Sequence, residues 1–349
     1  MFKFYTFVSS IFNFSIMNII RFWFNNARPH ALPQSLFPAI LAVCMASVSE
    51  SFSICLGIFA ILGVMFGHLS MNLFDDYFDY KVKGTEFRDK MVREGFRARI
   101  AKCPYLTSGQ ATLKQLLIAS FVFGAISLVF ATIIFIERGT VILYYALALA
   151  ILGISYSGKP LKLSYRGLGE LMIGLIFGPL SMTGVYYSAC GAFDWGVVFI
   201  SVPVGLLVAN IVYVHAIMDY EPDKKVGKMT FAVLLGSKKR MLGVLLTILV
   251  ISYLSIITGV CLKYLSLYYL LTLLTLPMAV SLYYLMREFV RNPQRKFEPK
   301  WWMGPMSDWK KIKEVELDWF MIRWFSARNL LSFLCLIIII AIYLSYFCL

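Results

Sequence analysis

Apolar and polar positions alternate along this chain in long blocks. Apolar blocks run roughly over 32–48, from Phe52 into Asn72–Tyr80, and over 113–136, 140–154, 170–189, 195–216, 242–262, 265–286 and 330–347. Several approach the ~20 residues that cross a bilayer as a helix. A membrane barrel would instead show alternating segments of about ten residues. The pattern predicts an all-α polytopic membrane protein with about nine transmembrane helices. Pro33 falls at the start of the first block, where a helix tolerates it, and Pro38 should kink that helix from inside.

Composition supports this class. The chain is 60% hydrophobic, and its 15% charged residues fall well below the ~25% of a soluble domain. The net charge of +14 would suit a nucleic-acid partner, but its distribution argues against one. With alternate links on alternate sides, the N-terminal segment and the links around 80–114, 157–166, 219–240 and 287–328 hold nearly all Lys and Arg. The opposite links hold only Arg138 and Lys263. That asymmetry is the positive-inside rule. It predicts an integral protein of a bacterial inner membrane, with a cytoplasmic N-terminus and an outside C-terminus, and no nucleic-acid partner. Residues 1–24, apolar and aromatic without a small-residue cleavage site, are expected to lie in the interface with Arg21 at the water edge. The polar 287–327 insert interleaves tryptophan with Lys and Arg, and predicts a cytoplasmic interfacial amphipathic helix before the last span. None of the seven cysteines forms a C-x-x-C pair, so neither a zinc site nor a disulfide framework is signalled.

The candidate chemistry lies in two acidic stretches. Asn72 to Tyr80 reads NLFDDYFDY and ends the second block. At ~100° per residue, Asn72, Asp75 and Asp79 fall within roughly 60° of one another, with Asp76 within about 100° of Asp75. Carboxylates this close repel each other and are costly beside lipid. A shared divalent cation would reverse that repulsion, and Mg²⁺ favours oxygen ligands shared with a substrate phosphate. A solvated helix end is the plainer reading of this stretch alone, and helical geometry does not say which carboxylate would touch a metal. The second stretch, HAIMDYEPDKKVGKMTFAVLLG, repeats the i, i+4 spacing in Asp219 and Asp223. Lys224, Lys225 and Lys228 follow, and lysines meet phosphate oxygens as point charges.

Other polar groups have both a plain and a chemical reading. Tyr156 and Tyr165 fit an aromatic belt, beside Lys159, Lys162 and Arg166. Glu170 opens the fifth span, where the helix dipole favours it. Asn210, inside the sixth span, reads as interhelical glue or as an orienting group, and His215 lies near that span's end. Topology puts both acidic stretches at the cytoplasmic ends of even-numbered spans. They can face each other across a central cavity open to that side and together hold Mg²⁺ on a diphosphate.

With these motifs the chain resembles the UbiA-type intramembrane aromatic prenyltransferases, whose two aspartate-rich motifs are similar to NLFDDYFDY and DYEPDKKVGKMT. ARPHALPQSLFP, YRGLGE with Phe177 to Pro179, and GKMTFAVLLG look like the menaquinone-pathway branch, the 1,4-dihydroxy-2-naphthoate polyprenyltransferases. That branch often has Asn-Asp-Tyr where this chain has Asp75-Asp76-Tyr77, and Asn-Asn-x-Arg-Asp where it has His215 to Asp219. The resemblance spans residues 25–349 apart from the insert. It implies Mg²⁺-dependent transfer from a polyprenyl diphosphate to an aromatic acceptor. The implied ligands are Asp75, Asp76, Asp79, Asp219 and Asp223 on the metal, and Lys228 and Lys162 on the diphosphate. Asn72, Arg28, Tyr156, Tyr165, Arg166, His215 and Asn210 are the candidates for holding substrate. Acceptors such as 4-hydroxybenzoate or homogentisate stay open, as does an ion-coupled transporter, which would want charges nearer the midplane.

Overall fold

The computed structural model describes residues 17–83, 103–225, 228–293 and 295–348. Most of the basic link after the first motif (Arg88, Lys90, Arg93, Arg97, Arg99, Lys102) and the first 16 residues lie outside that set. The described chain is helical throughout. Its main helices are α1 (Pro33–Ala46), α2 (Ile54–Lys83), α3 (Leu113–Arg138), α4 (Thr140–Ser157), α5 (Gly169–Cys190), α6 (Trp195–Met218), α7 (Lys238–Cys261), α8 (Leu267–Arg291) and α9 (Asp318–Cys348). Among the described residues, eight are long and apolar enough to cross a membrane. The expected first span is the shorter α1, whose 14 residues make ~21 Å at 1.5 Å per residue. This is an integral membrane protein, and its outer helices show it. Val122 and Val129 on α3 are 52% and 58% exposed and do not line the internal cavity, an apolar exterior that only lipid would cover.

Local sequence sets the helix ends. Thr112 and Gln115 close a capping box on α3, satisfying two otherwise orphaned backbone N–H groups. Asp194 caps α6 by accepting from Gly196 N at 2.6 Å. The bundle is built round α6, 72% of whose apolar window is buried, against 11% for the peripheral α4. Helix α5 is kinked onto it. Gly178 has φ −87°, ψ −105° and is followed by Pro179. A Cβ at Gly205 would stand 2.5 Å from Gly174 O and 2.9 Å from Gly178 Cα, so the two backbones touch through glycines. Gly205→Leu is therefore expected to cost about 3 kcal/mol or more by overpacking. Thermal unfolding in detergent micelles checks it, and an unchanged midpoint would refute the close-contact account.

Successive helices run in opposite directions. At one end Arg28 Nη2 donates to Asn72 O at 2.8 Å. At the other, Ser53 N donates to Ala189 O at 2.9 Å, and Ser47 Oγ lies 3.2 Å from Tyr343 OH near the end of α9. The 17–26 helix packs Phe22 and Trp23 on Tyr105 and on the cluster holding Leu69 and Leu73, so part of the expected interfacial segment is tied to α2.

The last helix differs most from expectation. It starts at Asp318, not near Leu330, and the described residues between α8 and α9 form a 3-10 turn (Trp301–Met303) and a six-residue helix (Trp309–Glu314). Charges at 323 and 328 break the apolar run in the sequence, but tertiary contacts absorb them. Arg323 is fully buried. Its Nε donates to Leu285 O at 3.1 Å, Nη1 donates to Trp319 O, and the guanidinium lies 5.0 Å from the Phe289 ring centre. Arg328 stacks on Phe325 at 4.4 Å. Asn329 Nδ2 donates to Met303 O and Pro305 O, fastening the insert to α9.

Candidate functional site

A cavity of about 850 Å³ opens among α2, α4, α5 and α6, with α3 closing its apolar wall. Both acidic stretches reach it. Asp75, Asp79, Asp219 and Asp223 line it, with Asn72, Arg28, His215, Lys228, Tyr156, Tyr165 and Glu170. The stretches share one end because α2 and α6 both run towards it: Asp75 and Asp79 lie in the C-terminal part of α2, Asp219 caps α6, and Asp223 lies on the short helix that follows. Farther in, small and apolar groups such as Gly63, Gly67, Gly124, Leu128, Ala131 and Leu149 line the cavity.

Each carboxylate is held by a named partner. On α2, Asp75 accepts from Ser157 Oγ at 2.6 Å and from Arg28 Nη2 at 3.1 Å. Asp76 is 2% exposed and does not line the cavity. It faces Tyr105 OH at 3.1 Å and Arg28 Nη2 at 3.4 Å. Asp79 accepts from Tyr165 OH, whose ring lies under Lys162 Nζ at 5.8 Å. Asn72 Nδ2 donates to Ala27 O at 2.9 Å, which fixes the chain before α1 on this face. Burial works against the Arg28 charge, but Asp76 and Asp75 outweigh it and hold its pKa above the ordinary value. Burial and then Asp76 push the Tyr105 phenol up, so it stays protonated and donates.

On the α6 side, Asp219 meets His215 Nε2 at 3.0 Å across one turn. The fully buried Asp223 meets Lys228 Nζ at 3.0 Å, on a short helix (Tyr220–Lys225). Glu170 connects α5 to this region, where its two carboxylate oxygens accept from Phe231 N at 3.2 and 3.3 Å. That bond and the Thr230 cap anchor the helix Phe231–Leu235. Glu170 thus serves a second helix N-terminus as well as its own.

Three sequence candidates fall elsewhere. Lys162 and Arg166 do not line the cavity, and Arg166 is exposed. Asn210 is fully buried within α6 and also off the cavity. Helix rotation, set by packing, decides the placement of Asn210, whereas Lys162 and Arg166 lie in the link between α4 and α5, at a 3-10 turn (Leu163–Arg166). Conversely, the motifs do not name Ser157, Tyr105 and His68, and they assign Trp324 to the interfacial insert, yet Ser157, His68 and Trp324 line the cavity and Tyr105 holds Asp76. His68 carried a signal, for it lies seven residues before Asp75 and so on the same helical face. The others are joined to the site only through folding.

The donor set is all oxygen, which suits a hard cation. Among the described residues no three His, Cys, Asp or Glu side chains converge as a self-contained metal site. Mg²⁺, as a hard cation, commonly takes one or two carboxylates and completes its shell with water and substrate phosphates.

Residues 35–304 match the UbiA prenyltransferase family. The chain is 26% identical to a 1,4-dihydroxy-2-naphthoate octaprenyltransferase of Bacillus subtilis over 60% of its own length and 65% of the relative's. It is 38% identical to a 2-carboxy-1,4-naphthoquinone phytyltransferase of Synechocystis over 38% of its length and 42% of the relative's. It thus spans less than two thirds of either relative. The fold is similar to that of a UbiA homologue from Archaeoglobus fulgidus bound to GPP and Mg²⁺. That likeness has a TM-score of 0.56 at 18% identity, and covers 89% of this chain and 99% of that one.

Proposed function

Because the chain belongs to the UbiA prenyltransferase family, we propose that it transfers a polyprenyl group from a prenyl diphosphate to an aromatic acceptor, with Mg²⁺ held by its acidic motifs. The observation that carries this reading is the meeting of both motifs on one cavity with an apolar interior. The preferred acceptor is 1,4-dihydroxy-2-naphthoate, losing its carboxylate, as the name of the Bacillus subtilis relative suggests.

When bound, Mg²⁺ would supply Lewis-acid stabilisation of the leaving diphosphate. Asp75 and Asp79 would hold it on one side and Asp219 and Asp223 on the other. Arg28, Ser157, Tyr165 and His215 keep those carboxylates in place. Lys228, already at the cavity, offers a point charge to a diphosphate oxygen. The allylic C–O bond breaks with its electron pair leaving on the diphosphate, and the electron-rich ring carbon forms the new C–C bond. The ring then regains aromaticity by losing CO₂, or a proton where no carboxylate is present. The apolar wall keeps water from the allylic carbon. The basic links favour a cytoplasmic orientation for this end of the bundle, with the C-terminus outside, in the inner membrane of a bacterium.

The test uses purified protein in lipid nanodiscs. Prenyl diphosphates are paired with 1,4-dihydroxy-2-naphthoate, 4-hydroxybenzoate and homogentisate, with and without Mg²⁺. The expected product is a prenylated naphthoquinol lighter by one CO₂ than simple addition would give. Absence of a prenylated aromatic from every pairing would refute the proposal.

A further inference from the structure

The cavity continues far beyond the carboxylates. Asp75 on α2 and Ser157 on α4 meet at 2.6 Å and so mark one level. From that level the lining runs along α2 to Ala60 and along α4 to Ile142, fifteen residues on each helix, or ~22 Å at 1.5 Å per residue. Helix α4 contributes Gly153, Ala150, Leu149, Ala146 and Tyr145 on the way.

The far end is shut. Ala60, Ile134, Ile142 and Val185 line it, are each 5% exposed or less, and pack in one core cluster. One turn beyond Ile134, Arg138 ties three segments together. Its Nε donates to Ser188 O at 3.1 Å, and its Nη2 donates to Ala189 O at 2.9 Å and to Ser51 O at 3.2 Å. Tyr145 is the bulkiest side chain lining this part of the cavity, and its ring is seated on α5 at Gly184, where a Cβ would stand 3.0 Å from Tyr145 Cδ1. Serine hydroxyls along the wall are bonded to backbone carbonyls: Ser70 Oγ donates to Ser120 O at 2.8 Å, and Ser127 Oγ to Gly63 O and Ser188 Oγ to Gly184 O at 2.7 Å. A wall whose hydroxyls are satisfied in this way offers its occupant chiefly dispersion contact, which suits a hydrocarbon.

We propose that this closed channel measures the prenyl tail, taking about four isoprene units in extended form, with Tyr145 as the residue that meets the last of them. Four backbone bonds of ~1.5 Å, zigzagged, make an isoprene unit about 5 Å long, so a depth of ~22 Å holds about four. A longer tail meets the Tyr145 ring before its diphosphate reaches the carboxylates, unless it bends back. The inference rests on the proposed use of a prenyl diphosphate, and adds the tail length that the channel fits and a residue that sets it.

The experiment maps where the tail ends. Protein in lipid nanodiscs with Mg²⁺ is given non-reacting prenyl thiolodiphosphates that carry a diazirine on the last isoprene unit, and the labelled peptides are identified by mass spectrometry after illumination. The two-unit probe should label around 149–153, and the four-unit probe around 142–145 and Ile134. Ala146→Phe places a ring across the channel ~16 Å below Ser157, about three units down. That variant should lose the four-unit label at 142–145 by about tenfold or more, since even one misplaced methylene in an apolar pocket costs that much, and should keep the two-unit label. If it does not fold, Ala131→Phe on the α3 wall carries the same comparison. Tyr145→Ala should admit a five-unit probe whose label falls at Ile142 and Ile134, and an unchanged five-unit pattern would remove Tyr145 from the proposal. A four-unit label found mainly on lipid, or kept at 142–145 in the folded Ala146→Phe protein, would overturn the measuring channel while leaving prenyl transfer itself untouched. The expected map without transfer to any aromatic would support the channel and count against the proposed function.

Discussion

Asp219→Ala and Asp75→Ala are each expected to lower prenyl transfer by about 10²–10³-fold, the usual cost of losing one preorganised charge-stabilising group from a dry site. Both side chains line the cavity, and each is already oriented: Asp219 by His215 at 3.0 Å, Asp75 by Ser157 at 2.6 Å and Arg28 at 3.1 Å. Removing either takes away a proposed metal ligand whose orientation was settled in folding. Asp76→Asn gives the contrast. Asp76 is turned from the cavity towards Arg28 and Tyr105, so its loss should act on thermal stability more than on turnover. Initial rates at saturating Mg²⁺, with unfolding midpoints for all three variants, separate the two effects. An alanine variant at either position working within about twofold of wild type would remove that residue from the proposed site.

Stripping divalent cations with a chelator should bring transfer to background and weaken prenyl diphosphate binding by about 10²-fold or more. Added Mg²⁺ should restore both. The reason is electrostatic. Asp75, Asp79, Asp219 and Asp223 line one cavity, and a diphosphate brought among them uncompensated meets like charge in a medium where charge is expensive. Among the described residues, Arg28 and Lys228 are the Arg and Lys side chains that line the cavity, and both are already engaged with carboxylates. The binding measurement matters because it reads the metal requirement without depending on the chemical step. Transfer at full rate in excess chelator would exclude the proposed metal role.

The sequence was legible where the physical constraint is local or one-dimensional. Apolar block length is dictated by bilayer thickness, so the helical spans and their order could be read directly. The charge asymmetry marked one set of links. Carboxylates at the edge of apolar blocks stood out because such positions are costly, and the two acidic stretches do meet. Less legible were residues whose meaning depends on a partner far along the chain. Arg323 looked like a break in a span, yet Phe289, Leu285 and Trp319 absorb its charge inside the fold, which moves the start of α9 back to Asp318. Glu170 looked like a dipole-stabilised helix start and also proves to hold Phe231 N.

By itself, then, the sequence determined that the chain is a helical membrane protein with two acidic motifs at the ends of spans two and six. Periodicity and hydropathy fix depth along a helix and little else. Tertiary structure decided rotation about each helix axis. It turned Asp75 and Asp79 into the cavity and Asp76 towards Tyr105, left Lys162, Arg166 and Asn210 outside the lining, and brought His68 in beside Ser35 and Phe177. Rotation follows from packing between segments distant in sequence, such as the bonds from Arg28 and Asn72 that join the start of α1 to the end of α2. No single helix carries that information in its own pattern.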